Sequence, residues 1–427
     1  MVDLKKLVIC GGVPLSGEHR VQGAKNRSLP ILGACMLAEG KTILKNCPEL
    51  SDVKTACDIL SCLGCRVCRT DDLLEIDSSN LSGSEIPEGL MNQMRSSIVF
   101  MGALLSRNGV ARVCFPGGCD IGQRPIDLHL SGLRKMGVVI EEKYGCLECC
   151  APDGLKGAEI SLSFPSVSAT ENILLAAVLA KGETVIRNAA TEPEIVDLAE
   201  YLSRCGAKID GAGQSVICVK GVTRLHGTEY QVMPDRIAAA TYLCAAAITG
   251  GDLLLKQVNP AELAGGILPL LEEAGCRIIT GTDSVYLRSR LPLKAFSTVR
   301  TMPYPGFPTD AQPLLMAVAT VSLGTGMFIE TIFENRFRHV PELNKLGANI
   351  RLDGRVAVVE GVPHLFGAHL QATDLRGGAA LVLAGLAAEG ETQISDIGYI
   401  DRGYYRIEEQ LSALGGRIVR VSDETTK

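Results

Sequence analysis

The sequence has no tryptophan, and aromatic residues make up only 4% of its 427 positions. A core of this chain must be built from aliphatic and small side chains. Basic charge is not in excess: 42 Lys and Arg against 48 Asp and Glu leave a net charge of −6. Nucleic acid and anionic membrane surfaces are recognised through a basic footprint, so neither is expected as the main partner. An anionic small molecule would have to be held by a local cluster of Arg and Lys. No stretch reaches the roughly 18 uninterrupted apolar residues of a membrane span. The opening, MVDLKKLVICGGVPLSG, offers only LVIC before its glycines. That is too short for a signal-peptide core, and a soluble cytoplasmic protein is expected.

Hydrophobic residues are plentiful at 46%, as are glycines (46) and cysteines (16). In a reducing cytoplasm the cysteines are expected to be free thiols. Two groups, Cys62, Cys65, Cys68 and Cys146, Cys149, Cys150, invite a metal reading. No histidine accompanies either group, and the first crosses a helix end into a strand, which scatters its sulfurs. No metal is expected. At roughly 150 residues per domain, the length suggests two or three domains.

One pattern recurs along the whole chain. A stretch rich in Leu and Ala runs into a turn glycine and then a strand, as in RSSIVFMGALLSRNGVARVCF and RGGAALVLAGLAAEGETQISD. The turn glycines are Gly40, Gly109, Gly182, Gly250, Gly324 and Gly390. Interleaved with it is an amphipathic helix ending in Gly before a strand, at Gly64, Gly137, Gly206, Gly275, Gly347 and Gly415. Glycine there suits the left-handed position that closes a helix. Six units of roughly 70 residues, alternating helix and strand, indicate an α/β chain built by duplication. The unit is too long for a solenoid repeat, so two globular domains of three units each are expected. The first helix of each unit is apolar all round and should be buried.

Polar residues gather at the starts of these apolar helices: Lys25 and Asn26, Arg95, Ser166, Asp235 and Arg236, Asp310, Arg376. Helix N-termini present free N–H groups and a positive dipole end, and would suit an anion. Asp and Ser at such places are most often simple caps. Arg and Lys are poor caps and ask for another explanation. In PGGCDIGQRPIDLHL, Pro116 to Leu130, the glycines predict a flexible loop that exposes Cys119. A Cys on a Gly-rich loop near an Arg is more often reactive, because positive charge favours the thiolate.

These segments resemble the enolpyruvyl transferases that act on UDP-N-acetylglucosamine. The resemblance rests on GAKN at 23–26, the Arg95 helix start, PGGC with RPIDLH at 116–129 and PSVSAT at 165–170. It continues through EPEIVD at 192–197, PDR at 234–236, PTD at 308–310, IFENRF at 332–337, LRGG at 375–378 and RGYYRIE at 402–408. It implies two inverse α/β barrel domains, each of three βαβαββ repeats, around a cleft. The domains would be residues 21–233, carrying the Cys119 loop, and a discontinuous domain of 1–20 plus 234–427.

The resemblance also implies the reaction: enolpyruvyl transfer from phosphoenolpyruvate to the 3-hydroxyl of UDP-N-acetylglucosamine, with release of phosphate. That is the first committed step of peptidoglycan precursor synthesis, and so bears on cell shape and division. Such chemistry needs an acid at C3, a base for the hydroxyl, and cations for a phosphate and a carboxylate. By resemblance Cys119 is the acid, able to carry a covalent phospholactoyl adduct, and Asp310 the base. Lys25, Arg124 and Arg402 would hold phosphate, with Lys25 and Arg402 counted as catalytic. Arg336 and Arg376 would hold the carboxylate, their forks matching two oxygens at once. Asn26 would touch phosphoenolpyruvate and the sugar. Arg95, Ser166 and Val167 would lie near the diphosphate; Arg124, Pro125, Ile126 and Asp127 would form the uridine segment, and Asp310 and Ile332 would face the sugar nucleotide. His129 would bind or steady the loop. No cofactor is implied, a monomer is expected, and the epoxide fosfomycin should alkylate Cys119.

Three positions depart from the family pattern. Ser168 stands where relatives often carry Gly and could crowd the diphosphate loop. Phe164 replaces a Lys of some members, and Asp120 could raise the neighbouring thiol's pKa. Two rival readings are a 3-phosphoshikimate 1-carboxyvinyltransferase, which shares the architecture but lacks the Cys acid, and an idle paralogue that only binds UDP-sugar.

Overall fold

The computed structural model describes residues 5–70, 72–117 and 121–422. They divide into two compact units: 5–22, 121–123 and 234–422 form one, 23–117 and 124–233 the other.

At the centre of the second unit lie the helices Lys25–Cys35, Phe100–Asn108 and Val167–Ala177. Almost every residue of the first and last is buried. The first unit has the equivalent trio Arg236–Ile248, Gln312–Ala319 and Leu375–Ala387, all packed on one another. Such all-round apolar helices lower their free energy only when wholly removed from water, at roughly 25 cal/mol per Å² of apolar surface. They therefore form the inside, and the sheets are built around them.

Among the described residues the four-stranded sheets of both units share one design. Lys41–Lys45 pairs in parallel with Glu229–Gln231 and antiparallel with Leu73–Asp77, which pairs in turn with Arg66–Thr70. Glu183–Arg187 repeats the design with Glu159–Ser161, Val216–Lys220 and Lys208–Asp210. In the first unit Thr325–Ile329 repeats it with Val299–Arg300, Val356–Glu360 and Asn349–Asp353. Strand burial alternates, as the period-2 pleat requires for sheets covering a helical core. The chain closes on itself twice. Glu229–Gln231 returns to the strand that follows the first helix of its unit, and Lys5–Cys10 lies between Glu391–Ser395 and Arg417–Ser422.

The amphipathic helices end as the sequence suggests. Gly64 has φ +100°, and a Cβ there would sit 2.8 Å from the carbonyl oxygen of Asn80. Gly102 is needed for close packing instead. Its missing Cβ lets two core helices approach until that position is 2.2 Å from the Asn172 carbonyl oxygen.

One expectation fails. Cys114 and Cys146 are joined by a disulfide, so not all the cysteines are free thiols. The antiparallel register of Val110–Cys114 with Cys146–Cys150 sets the two directly opposite each other, both buried. Composition cannot reveal that register. Among the remaining candidate thiols, Cys62 and Cys68 are exposed while Cys65 is buried, and no group of metal-binding character occurs among the described residues. No helix of the described chain is long and apolar enough to cross a membrane.

Candidate active site

The first unit assembles a buried cluster around Asp310. The loop Pro308–Asp310 begins a short 3-10 turn, Thr309–Ala311, whose N-cap is Pro308 and has no side-chain cap. Asp310 is thus freed from the capping duty that an Asp before a helix usually performs. Its Oδ1 accepts from Arg336 Nη2 at 3.0 Å. Its Oδ2 accepts from Arg376 Nε at 3.4 Å and Nη2 at 3.3 Å. Both guanidinium side chains are only 2% exposed, whereas Asp310 is 29% exposed. Two buried cations therefore converge on one partly accessible carboxylate.

The surroundings hold those cations still. Arg336 also donates from Nε and Nη2 to the Thr309 carbonyl, at 3.2 and 3.1 Å. Its Nη1 lies 3.8 Å from Asp374 Oδ1. Asp374 caps the Leu375–Ala387 helix, accepting from the backbone N–H groups of Arg376 and Gly377. Arg376 Nη1 donates to the Tyr404 hydroxyl at 3.1 Å, and that hydroxyl meets Thr241 Oγ1 at 2.8 Å. Burial opposes the charge on Arg376, but Tyr404, Asp310 and Asp235 outweigh it and raise its pKa above the ordinary value. His339, fully buried beside Arg336, is held down to about 4 by burial, against the pull of Asp374. Asp235 caps its own helix through the N–H groups of Ile237 and Ala238. Arg402 follows the short Gly398–Asp401 helix, two residues before Tyr404, and is half-buried. Ile332 is half-buried, its N–H donating to Glu330 Oε1 at 2.8 Å.

The second unit carries the other candidates. Lys25 opens its helix, 9% exposed, with Nζ 3.3 Å from Asp52 Oδ2. Asn26 beside it is half-buried. Arg95 opens the Arg95–Val99 turn and donates from Nη1 to the Pro116 carbonyl at 3.1 Å. That bond and the Gly117 N–H to Met91 carbonyl bond at 3.2 Å fix the near end of the Gly-rich loop. Burial, and then the charge of Arg124, lower the Arg95 pKa to about 10. Arg124, Pro125, Ile126 and Asp127 lead into the Asp127–Lys135 helix; Ile126 is buried and Pro125 exposed. Ser166 caps the Val167–Ala177 helix through Ala169 N–H, and Val167 is half-buried. Cys119 and Asp120 lie outside the described residues.

Lys25 and Arg95 do stand at helix starts without capping them. Asp235 and Ser166 are caps, the more ordinary role. Sequence reasoning passed over Tyr404, Asp374 and Asn172. Asp374 had a signal, an Asp immediately before an apolar helix. Tyr404 sits within RGYYRIE, yet nothing in the string says which Tyr is turned inward.

Two trios of buried helices, each with sheets built around it, are the architecture of an enolpyruvyl transferase. The family model described as EPSP synthase (3-phosphoshikimate 1-carboxyvinyltransferase) matches residues 9–411, and the chain belongs to that family. Its relatives include UDP-N-acetylglucosamine 1-carboxyvinyltransferase 2 of Caldanaerobacter subterraneus subsp. tengcongensis, 50% identical over 97% of this chain and 99% of that protein. UDP-N-acetylglucosamine 1-carboxyvinyltransferase of Nitratidesulfovibrio vulgaris is 49% identical over 98% of this chain and 100% of that protein. Among solved structures, the enolpyruvyl transferase NikO from Streptomyces tendae superposes with TM-score 0.87 at 26% identity, covering 98% of this chain and 99% of its own. EPSP synthase from Acinetobacter baumannii, at 20% identity and TM-score 0.76, covers 98% of this chain and 100% of its own and shares the fold.

Proposed function

We infer that this chain is an enzyme that transfers the enolpyruvyl group of phosphoenolpyruvate to the 3-hydroxyl of UDP-N-acetylglucosamine, releasing phosphate. It thereby commits the sugar to peptidoglycan precursor synthesis. What carries the reading is an identity of 49–50%, over nearly the full length of both chains, with proteins of that name. Two solved structures of EPSP synthase from Acinetobacter baumannii are far more distant, at 20–21%.

In this reading Asp310 takes the proton of the sugar hydroxyl as its oxygen attacks C2 of phosphoenolpyruvate. Cys119 gives a proton to C3. The tetrahedral adduct then loses phosphate and a C3 proton, restoring the enol ether. Arg336 and Arg376 receive the substrate carboxylate; Lys25, Arg124 and Arg402 receive the phosphate. Asn26 contacts phosphoenolpyruvate and the sugar, Arg95, Ser166 and Val167 serve the diphosphate, Pro125 to Asp127 the uridine, and Ile332 the sugar nucleotide. The reaction draws on no cofactor. A phospholactoyl adduct on Cys119 is the proposed covalent state, and the working form a cytoplasmic monomer.

The test is phosphate release from phosphoenolpyruvate with UDP-N-acetylglucosamine or shikimate 3-phosphate as acceptor. Release with the nucleotide sugar alone is expected. Release with shikimate 3-phosphate alone would make the chain a 3-phosphoshikimate 1-carboxyvinyltransferase, and binding of the nucleotide sugar without release would make it an idle paralogue.

A further inference from the structure

The second unit contains a chain of hydrogen bonds whose direction is fixed from end to end. The Gly102 N–H donates to Asn172 Oδ1 at 2.6 Å, and Asn172 Nδ2 donates to the Ile98 carbonyl at 3.1 Å. Two backbone groups of opposite polarity thus settle which end of the amide is which. The same Nδ2 lies 2.9 Å from His129 Nδ1. An amide nitrogen only donates, so His129 Nδ1 accepts, and a neutral ring must carry its proton on Nε2. Burial, and then the charge of Arg95, push the His129 pKa down to about 3, so the ring is neutral. Nε2–H then donates to Ser168 Oγ at 3.2 Å. Ser168 spends a lone pair on that bond, and its own hydroxyl hydrogen is turned elsewhere. Among the described residues no further hydrogen bond takes that hydrogen. Ser168 is half-buried, so a ligand can reach it.

A second observation points to what that ligand carries. Arg95 and Arg124 are close enough for one charge to disfavour the other. Like charges held together favour an anion as neighbour.

We propose that Ser168 is a specificity residue of this chain: it donates its hydroxyl hydrogen to a phosphate oxygen of the nucleotide diphosphate, aimed by the Asn172–His129 relay. The inference rests on the UDP-N-acetylglucosamine reading above. His129 is a positioning residue in it, acting only through the direction of the serine hydroxyl. Ser168 is thereby an additional contact, where the sequence alone suggested an obstruction.

The test is calorimetric titration of the full-length enzyme with UDP and with uridine, which lacks the phosphates. Ser168→Ala and Ser168→Gly should each weaken UDP about ten- to a hundredfold, as loss of a hydrogen bond to a charged group does, and leave uridine unchanged. Ser168→Thr keeps the hydroxyl and should stay within about twofold of the parent. His129→Phe should show the same selective loss for UDP, because a merely structural defect would weaken both ligands alike. An alanine or glycine variant that binds UDP as tightly as the parent, or more tightly, overturns the proposal while turnover of UDP-N-acetylglucosamine by the parent keeps the functional reading intact. A parent enzyme that binds neither UDP nor uridine overturns both together.

Discussion

Arg336 and Arg376 grip opposite oxygens of one carboxylate, that of Asp310, at 3.0 and 3.3 Å. Asp310 thus occupies the guanidinium pair assigned above to the carboxylate of phosphoenolpyruvate. An acid that is to serve as base is here also a competitor of the substrate, so its removal should separate binding from chemistry. Asp310→Asn is expected to lower turnover by about 10²–10⁴-fold, the usual contribution of a positioned base. The same variant should bind phosphoenolpyruvate at least as tightly as the parent. A parallel loss of turnover and affinity in steady-state kinetics would contradict this division.

The same geometry predicts a stability effect. Asp310→Ala leaves two buried guanidiniums facing each other without their shared anion. Removing one partner of a buried pair is costly, and the partial exposure of Asp310 tempers the cost to about 1–2 kcal/mol. Thermal melting should fall accordingly, and phosphoenolpyruvate should restore more of it in the variant than it adds to the parent.

Arg402→Ala should damage turnover far more than affinity for UDP-N-acetylglucosamine. A charge-assisted partner of a departing phosphate acts chiefly in the transition state, at about 2–4 kcal/mol of barrier. Steady-state kinetics checks the split. Near-normal turnover, or a defect confined to nucleotide-sugar binding, would remove Arg402 from the phosphate.

Acid should destabilise the fold through its half-buried His19 and its buried His129 and His339. Burial lowers His19 and His339 to about 4 and His129 to about 3, from 6.5. The unfolded chain takes up these protons first, so their contribution is fully present above about pH 6.5 and is lost as pH falls toward 4. Each can contribute a slope of up to about 1.4 kcal/mol per pH unit. Asp197 works the other way, since burial raises it from 3.8 to about 6 and the folded state binds its proton first below that. Glu171, raised well above its ordinary value by burial, works as Asp197 does, and three histidines against these two carboxylates predict a falling urea midpoint from pH 7 to pH 5. His339→Gln should flatten that fall, and an unchanged slope would show that His339 protonates freely in the folded state.

The repeat was legible because its cause is local. Glycine at left-handed positions such as Gly64 and alanine-rich, mostly apolar stretches such as 237–248 report backbone and burial without knowledge of neighbours. The residue types of the site were legible for the same reason. Their pairing was not. The grip of two arginines on Asp310 depends on a 3-10 turn replacing a cap, and the Asn172–His129–Ser168 chain depends on the close approach that Gly102 permits. The Cys114–Cys146 disulfide depends on strand register. Each of these is a fact about separation in space between residues distant in sequence.

The thiol chemistry gives the sharpest test of the acid assignment. Fosfomycin, an epoxide resembling phosphoenolpyruvate, should inactivate the enzyme by alkylating Cys119. The nucleophile in such a reaction is the thiolate, so buried thiols are poor competitors. Burial raises Cys35, Cys47 and Cys244, and holds Cys57 near 12 and Cys65, Cys149 and Cys205 near 11. Cys114 and Cys146 are tied to each other. The real competitors are the exposed thiols Cys10, Cys62, Cys68 and Cys150. Cys68 has Arg69 directly beside it and Cys10 lies opposite Arg417 across the sheet, so a nearby arginine such as Arg124 does not by itself single out Cys119. Selectivity must therefore come from the phosphonate binding where phosphate is expected to bind and bringing the epoxide to one sulfur. Peptide mapping after brief treatment should find one adduct, on Cys119, forming faster with UDP-N-acetylglucosamine present. Cys119→Asp should resist the drug yet keep some transfer activity, because a carboxyl group can still give a proton but opens an epoxide poorly. Equal labelling of the four exposed thiols, or inactivation of Cys119→Asp at the parent rate, would sink the reactive-loop reading together with the acid role built on it.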